Sequence, residues 1–244
     1  MSDRLITVIG RGHGGTRAMA HTLSASGVFT GSPLNKSGDL VPAEEMYEAC
    51  RVFARFVDWE GGLSWDFSRA LQADPTPEFV DLIERYLTTV LSSPASRRGW
   101  KLPETTLAYP WIVKMFPTAH YIEWVRDPRD SILNQHVTDD LSLFGVSYDR
   151  TDDQRRNRAI SWLYQRELMA ATPKPANVIQ VRFEDFVLDQ GRTLAAIEDF
   201  LGFELARIPV TPDAVGRWRH DDGRHTFDFF EKDLVDLGYA EAAG

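Results

Sequence analysis

Residues 5–17, with the sequence LITVIGRGHGGTR, decide the fold of this chain. An apolar run that suits a buried strand ends in four glycines within six residues, and apolar residues at helical spacing follow from residue 18. Glycine lets a backbone approach an anion closely, and the first N–H groups of a helix point towards that anion. The stretch therefore predicts a strand, a phosphate-binding turn and a helix.

The turn departs from the loop found in nucleotide triphosphatases. Gly10 and Gly15 have the spacing of a Walker A loop, but Thr16 and Arg17 stand where Lys and then Ser or Thr would follow. The loop is therefore typical of phosphate binding without being a triphosphatase loop. A glycine-rich turn that holds no ligand is the alternative that this stretch alone leaves open.

Length and composition bound the class of protein. The 244 residues, 43% hydrophobic and 26% charged, suit an ordinary globular protein, and we expect a single domain over residues 1–244. No apolar run approaches the roughly 20 residues of a membrane span. The single cysteine, Cys50, and the lack of a signal peptide favour a reducing cytoplasm. A net charge of −9 argues against nucleic-acid binding but not against a small anionic ligand.

Strands alternate with helical segments along the chain. This order predicts an α/β fold with a central, mainly parallel sheet flanked by helices, whose ligands bind where the strands end. Residues 40–95 read as a mostly helical insertion, in which residues 58–73 are rich in Trp and Gly and irregular in period. The expected strands are 5–9, 28–30, 99–104, 120–125 and 178–183, and the expected helices are 16–26, 42–56, 77–91, 106–116, 131–136, 152–171, 191–201 and 227–238.

Five short motifs in this order resemble those of sulfotransferases that use 3′-phosphoadenosine 5′-phosphosulfate (PAPS). The resemblance covers residues 5–239 and implies a P-loop nucleotide-kinase-like sulfotransferase fold. It also implies metal-free transfer of a sulfuryl group from PAPS to a hydroxyl or amine of a small-molecule or glycan acceptor. The motifs are the 5′-phosphosulfate loop at 14–18 (GGTRA), a Lys-Asp-Pro-like segment at 100–103 (WKLP), the 3′-phosphate motif at 125–130 (VRDPRD), an Arg-Tyr-Glu-Asp-Leu-like strand at 181–186 (VRFEDF) and the late nucleotide-covering segment at 216–219 (GRWR).

The resemblance implies which residues bind PAPS. The loop would hold the 5′-phosphate, Arg126 would pair with the 3′-phosphate, and Phe183 or Trp218 would contact the adenine. Asn134 stands where the family usually has a serine on the 3′-phosphate. The full set implied to bind the nucleotide is Arg11, Gly12, His13, Gly14, Gly15, Thr16, Arg17, Arg126, Asn134, Phe183, Arg217, Trp218 and Arg219, with no metal ion.

The main departure from the family pattern is His13. The heparan-type members have a lysine there, which assists the departing phosphate. Three explanations stay open at this point. Either His13 takes the role of that lysine, or Arg11 or Lys101 supplies the positive charge, or the protein only binds nucleotide.

The acceptor also needs a general base, and Glu45 is the prediction, acting together with His13 and Lys101. An acidic residue in the first turn of a helix also satisfies the helix dipole, which is the alternative explanation for Glu45. Further candidates for the base are Asp39, Glu44, Glu104 and His136.

Two other functions compete with sulfuryl transfer. One is a P-loop phosphotransferase, which predicts a lysine after the loop and an acidic magnesium ligand at a strand end. The other is a non-catalytic nucleotide-binding protein, which is suggested by the histidine that replaces the family's lysine in the loop. A homodimer is compatible with the sequence under each of these functions.

Overall fold

The computed structural model describes residues 4–240 and shows an α/β fold with a central parallel sheet flanked by helices, which confirms the predicted class. Within this range, no helix combines the length and the hydrophobicity that a membrane span requires. The strands are β1 (Arg4–Ile9), β2 (Asp58–Gly61), β3 (Ser64–Asp66), β4 (Arg97–Lys101), β5 (His120–Val125) and β6 (Val178–Arg182).

Strands β4, β1, β5 and β6 lie side by side in that order, and every neighbouring pair is parallel. Within β1, Val8 pairs with Lys101 on one side and with Ile122 on the other. The loop after β1 therefore emerges between the ends of β4 and β5. The carboxyl ends of all four strands meet at this one edge of the sheet.

Helices cover both faces of the sheet and define two apolar clusters. Ile6 and Val8, fully buried, pack on the face covered by the helices that begin at Thr16 and Gln190. Trp100 and Tyr121 pack on the opposite face. The helices are α1 (Thr16–Ala25), α2 (Glu44–Ala54), α3 (Ser68–Gln72), α4 (Pro77–Tyr86), α5 (Thr88–Leu91), α6 (Tyr109–Met115), α7 (Pro128–Ser131), α8 (Gln154–Ala171), α9 (Phe183–Leu188), α10 (Gln190–Leu201) and α11 (Glu231–Asp236).

Residues 40–95, predicted as a mostly helical insertion, contain helices α2 to α5 and a short hairpin between α2 and α3. Within residues 58–73, whose sequence has no regular period, strands β2 and β3 form an antiparallel hairpin that pairs Trp59 with Trp65. The turn uses Gly61 and Gly62, both with positive φ angles. Strands of four and three residues are too short to show a clear period of two. The helix expected at 77–91 is divided into α4 and α5 at Leu87.

The prediction of a helix over residues 131–136 is wrong. Helix α7 begins three residues earlier, because Asp127 accepts a hydrogen bond from the Arg129 N–H and Pro128 occupies the first helical position. It ends after Ser131, and Arg158 of α8 donates to the carbonyl groups that follow, those of residues 132 and 133. A long-range side chain thus binds carbonyl oxygens that a longer helix would have used.

Other element boundaries differ less. The strand expected at 28–30 is reduced to a single bridge between Phe29 and Arg98. The helix expected at 106–116 starts as a 3₁₀ turn, Pro103–Ala108, and the last helix is shortened to α11. Helix α9 follows β6 directly and was not expected. It places Phe183, the first residue after the sheet, at the edge where the strands end.

Candidate functional site

A cavity of about 530 Å³ opens at the carboxyl edge of the sheet. The end of each central strand contributes to it, as the sequence predicted. The loop after β1 forms its floor, Lys101 enters from β4, and Arg126 and Phe183 enter from the ends of β5 and β6. The complete lining is Gly12, His13, Gly15, Thr16, Arg17, Ala18, His21, Ser37, Asp39, Lys101, Pro103, Arg126, His136, Phe183, Val187, Ile208, Pro209, Val210, Thr211, Ala214 and Arg217.

The loop is held in a fixed shape by its own backbone and by β5. The Gly14 N–H donates to the Arg11 carbonyl at 3.0 Å, and Trp124 of β5 donates its Nε1–H to the Gly14 carbonyl at 2.9 Å. Gly15, with φ 88°, starts α1. The first N–H groups of a helix have no partner within the helix, so those of Thr16 and Arg17 are available to a ligand at the floor of the cavity.

Two aromatic rings lie against glycines of this loop. A methyl group added at Gly12 would overlap the ring of His136, and one added at Gly15 would overlap the ring of Phe183. The two rings come from different strand ends, one after β5 and one after β6. The glycines are therefore required for packing as well as for the turn.

Arg126 connects the loop to the late part of the chain. Its guanidinium donates to the carbonyl of His13 at 3.0 Å and to that of Ala214, pairs with Asp130 at 3.2 Å, and lies 4.4 Å from the centre of the Phe183 ring. The residue is only 7% exposed, and its buried Nε–H has no hydrogen-bond partner. A largely buried cation that lines a cavity suits an anionic ligand.

Asp130 holds the late segment in place. Its carboxylate accepts hydrogen bonds from the backbone N–H groups of Gly216 at 2.8 Å and Trp218 at 2.9 Å. This contact brings Arg217 to the cavity, opposite the loop. The side chain of Trp218 turns away and stacks on the guanidinium of Arg129, 4.1 Å from the ring centre.

Arg11 is buried beneath the loop and does not line the cavity. It forms an ion pair with Asp139 and donates to the carbonyl of Ser131 at 2.8 Å. Asp139 also lies 3.6 Å from Arg158 and accepts the N–H of His136 at 2.6 Å. Arg11 therefore anchors the segment after α7 to the loop.

His13 and Lys101 differ in where their charged groups lie. His13, with φ 61°, donates its Nε2–H to the carbonyl of Gln135 at 2.6 Å, and burial of the ring lowers its pKa. Lys101 is 2% exposed, lines the cavity and forms an ion pair with Asp39. Burial lowers the pKa of Lys101, and the Asp39 carboxylate opposes this effect.

A buried acid lies behind the Lys101 side of the cavity. Glu104 accepts a hydrogen bond from the Tyr47 hydroxyl at 3.3 Å, and its Oε1 lies 4.0 Å from Nε2 of His136. Burial raises the pKa of the Glu104 carboxyl to about 7, and the nearby Asp39 acts in the same direction. Burial lowers the pKa of His136 to about 3, so its imidazole is neutral at physiological pH.

Residues 6–207 match the model of a family described as the sulfotransferase family. The chain belongs to this family. No curated protein matches it in sequence. Two solved structures share its fold at 13% identity. The sulfotransferase domain of the olefin synthase from Synechococcus PCC 7002 has a TM-score of 0.60 over 99% of this chain and 96% of that one. Sulfotransferase STF9 from Mycobacterium avium has a TM-score of 0.53 over 99% of this chain and 78% of that one.

In this sulfotransferase, the structure brings together part of the predicted nucleotide site. Arg126 and Arg217 face the same cavity as the loop, although 91 residues separate them in sequence. Two predicted catalytic residues, His13 and Lys101, line it as well. The predicted nucleotide-site residues found in the lining are Gly12, His13, Gly15, Thr16, Arg17, Arg126, Phe183 and Arg217.

The remaining predicted residues lie outside the lining. Gly14 donates its N–H to the Arg11 carbonyl and accepts the Trp124 Nε1–H at its own carbonyl, and Arg11 is paired below the loop. Glu45 lies half-buried in the first turn of α2, whereas Asp39 is the acidic residue of the lining. The other predicted residues outside the lining are Asn134 and Arg219, both exposed, and Trp218, stacked on Arg129.

Some residues of the site were missed by sequence reasoning. Asp130 belongs to the predicted 3′-phosphate motif, but no role was predicted for it. Its position four residues after Arg126 is the spacing at which opposite charges can pair. His21 lies one turn along α1 from Arg17, which was a second signal. No local pattern indicated Ser37, Val187 or the segment 208–211. Among residues 4–240, no three His, Cys, Asp or Glu side chains gather in a way that could hold a metal ion.

Proposed function

We propose that this sulfotransferase uses PAPS as its donor and transfers the sulfuryl group to a hydroxyl or amine of a small-molecule or glycan acceptor. The observation that carries the proposal is the arrangement of positive groups around one cavity. The N-terminal end of α1, the buried Arg126, Arg217 and Lys101 all face it. PAPS carries anionic groups at three places, the 5′-phosphate, the sulfuryl group and the 3′-phosphate, so separate cationic groups fit it well.

The 5′-phosphate fits at the start of α1. The N–H groups of Thr16 and Arg17 would donate to its oxygens, and the Thr16 hydroxyl adds one more donor. The 3′-phosphate fits between Arg126 and Arg217, because both guanidinium-bearing side chains line the same wall of the cavity. Gly14 has no part in binding, since its N–H is used within the loop.

Lys101 is the group that best supplies positive charge to the sulfuryl group. Arg11 is held by Asp139 below the loop, and His13 donates its ring N–H to Gln135. Lys101 lines the cavity, and its ammonium group forms an ion pair with the Asp39 carboxylate. A donor aimed at oxygens that gain charge during transfer stabilises the transition state, and a dry site strengthens the effect.

Asp39 is the carboxylate best placed to take the proton from the acceptor. It lines the cavity, whereas Glu45 does not. In the transfer, the acceptor O–H bond breaks and its proton moves to Asp39, while the acceptor oxygen bonds to sulfur. The bond between sulfur and the 5′-phosphate oxygen breaks, and the phosphate leaves with the electron pair. Lys101 pairs with Asp39 before transfer and would turn to the sulfuryl oxygens when PAPS binds.

The first test is binding of the product nucleotide, 3′,5′-diphosphoadenosine, compared with ATP and magnesium by calorimetry. We expect tight binding of the diphosphate and weak binding of ATP. Arg217→Ala is expected to weaken diphosphate binding about tenfold or more, the usual scale for one charge-assisted contact. Arg69→Ala removes an arginine that pairs with Asp58 at the surface, away from the cavity, and serves as the control. Tight ATP binding without diphosphate binding would overturn the proposal and favour a phosphotransferase.

The second test is turnover, which distinguishes an enzyme from a nucleotide-binding protein. A non-catalytic nucleotide-binding protein stays a candidate because of one hydrogen bond. His13 replaces the family's lysine, and its ring N–H is already bonded to the carbonyl of Gln135. We expect release of the diphosphate from PAPS to depend on an added acceptor. Diphosphate binding with no transfer to any acceptor of a broad panel would favour the binding protein.

A further inference from the structure

The cavity has two chemically different ends, and the strand order separates them. The sheet runs β4, β1, β5, β6, so the phosphate-binding loop after β1 lies between the ends of β4 and β5. Neighbouring strands are about 4.8 Å apart, which puts β4 and β6 roughly 14 Å from each other. Groups that enter from β4 therefore contact a different part of a ligand from those that enter from β6.

The β6 end of the cavity is apolar. Phe183 and Val187, both from α9, are 6% exposed, and the segment 208–210 with Ala214 completes the wall. Arg126 lies against the face of Phe183. A flat, uncharged ring such as a nucleobase fits this end, and the adjacent Arg126 fits the phosphate of the same nucleotide. Under the proposed function, this end is taken by the donor.

The β4 end is polar, and its side chains contact one another. Arg17 donates to the Ser37 hydroxyl at 3.1 Å, and Asp39 is paired with Lys101. A methyl group at Gly38 would lie 3.6 Å from the His21 ring, so this ring lies beside the loop 35–39. Pro103 and Ala18 are small apolar lining residues that lie within two positions of Lys101 and Arg17 in sequence.

The charge at the β4 end is positive once its ion pair is counted. Lys101 and Asp39 neutralise each other, and burial raises the pKa of Glu104 behind them to about 7. The Arg17 guanidinium is left at this end of the cavity, with His21 one helical turn further along α1. Arg17 is exposed, and its charge lies close enough to lower the pKa of Lys101. A positive entrance in a chain of net charge −9 suits an acceptor that carries its own negative charge.

We infer that the β4 end of the cavity is an acceptor subsite for a hydroxyl-bearing sugar that carries a negative charge, with Arg17, His21 and Ser37 as its binding residues. The inference rests on the proposed function, because it assigns the opposite end to PAPS. In this arrangement the acceptor hydroxyl lies beside Asp39, after Lys101 has turned to the sulfuryl oxygens. An aromatic or aliphatic alcohol would leave the polar groups of this wall without partners.

Three acceptors test the class of substrate. Methyl glucuronide and methyl glucoside share a pyranose ring with three secondary hydroxyls and differ at C6, which is a carboxylate in the first and a hydroxymethyl group in the second. Phenol represents the apolar class. With PAPS, we expect kcat/KM for the glucuronide to exceed that for the glucoside about tenfold, the scale of one charge-assisted hydrogen bond. Phenol is expected to be the poorest of the three. A phenol preference, or equal values for the two sugars, would overturn the inference.

Variants test the location of the subsite. His21→Ala and Ser37→Ala are expected to raise the KM for the glucuronide severalfold and to reduce its advantage over the glucoside. Val210→Ala, on the opposite wall, is the matched control and is expected to change the KM for PAPS instead. A rise in the KM for PAPS in His21→Ala without a change for the sugar would contradict the assignment.

Failure of the subsite and failure of the proposed function give different results. Calorimetry with 3′,5′-diphosphoadenosine tests the donor site without any acceptor. If the diphosphate binds but turnover is too slow to measure, ligand-observed NMR on the diphosphate complex compares binding of the two sugars. Glucuronide binding that is lost in His21→Ala supports the subsite, and no preference over the glucoside overturns it. If the diphosphate does not bind, the proposed function itself fails.

Discussion

The carboxylate of Asp130 accepts a hydrogen bond from the backbone N–H of Gly216 at 2.8 Å, across 86 residues of sequence. The same carboxylate pairs with Arg126 and accepts the N–H of Trp218. It therefore fixes the relative positions of the two arginines, Arg126 and Arg217, that face the cavity. The side chain is fully buried, so each of these contacts is shielded from water.

Replacing Asp130 tests this connection. Asp130→Ala leaves the buried guanidinium of Arg126 without its carboxylate, and we expect a loss of about 3 kcal/mol in the free energy of unfolding. Binding of the diphosphate should weaken as well, because the segment that carries Arg217 loses its anchor. Urea unfolding and calorimetry measure the two effects. Asp185→Ala, which removes an exposed acid 3.9 Å from Arg182, is the control. An unchanged unfolding curve for Asp130→Ala would contradict the prediction.

Alanine substitutions at two glycines with similar backbone angles distinguish the cost of backbone strain from the cost of a steric clash. Gly15 and Gly27 have φ angles of 88° and 79°, but only at Gly15 would an added methyl group meet another side chain, the ring of Phe183. Gly27→Ala is expected to cost about 1 kcal/mol from backbone strain alone. Gly15→Ala should cost about 1–3 kcal/mol more, from overlap with the ring, and should weaken diphosphate binding. Equal losses of stability in Gly15→Ala and Gly27→Ala would show that the Phe183 ring is not the reason why residue 15 must be glycine.

The proposed roles of Lys101 and His13 predict a clear order of effects. Lys101→Met is expected to lower kcat about 100-fold, because it removes the charge aimed at the sulfuryl group. His13→Ala is expected to lower kcat less than about tenfold, because its ring N–H is directed at Gln135. Steady-state kinetics with PAPS and a fixed acceptor provide the comparison, and circular dichroism checks the fold of both variants. The reverse order would assign the lysine's role to His13.

The raised pKa of Glu104 predicts how the free energy of unfolding depends on pH. Burial raises the pKa of its carboxyl from 4.5 to about 7, so the folded state holds this proton more tightly than the unfolded chain. The resulting stabilisation is complete below pH 4.5 and is lost as pH rises through 7. Glu104→Gln cannot ionise, so its stability relative to the wild type should increase from pH 5 to pH 8, by about 3 kcal/mol at most.

Unfolding in urea at a series of pH values measures this effect. Burial also raises the pKa of Glu167 to about 7, so Glu167→Gln reports a second, separate contribution. The two effects are expected to add in the double variant, since the two carboxyls interact with different neighbours. A constant difference between Glu104→Gln and the wild type across this pH range would show that Glu104 does not titrate there.

The sequence alone was sufficient to predict the class of fold and the edge of the sheet where the cavity opens. The apolar run before Gly10 and the strand at 120–125 are local patterns, because backbone geometry and side-chain periodicity act over a few residues. The glycine loop and Arg126 were recognisable for the same reason. Each belongs to a short motif at the end of a buried strand.

Only the tertiary structure decided which polar groups of these motifs face the cavity. Arg11 in the loop and Arg17 in the first turn of α1 are six residues apart, yet Asp139 holds the first below the loop while the second lines the cavity. Trp218 stacks on Arg129, and Asp39, from the loop before α2, pairs with Lys101 at the end of β4. These partners are distant in sequence, and the direction of a charged side chain depends on which opposite charge folding brings next to it. The local pattern carries no record of that partner.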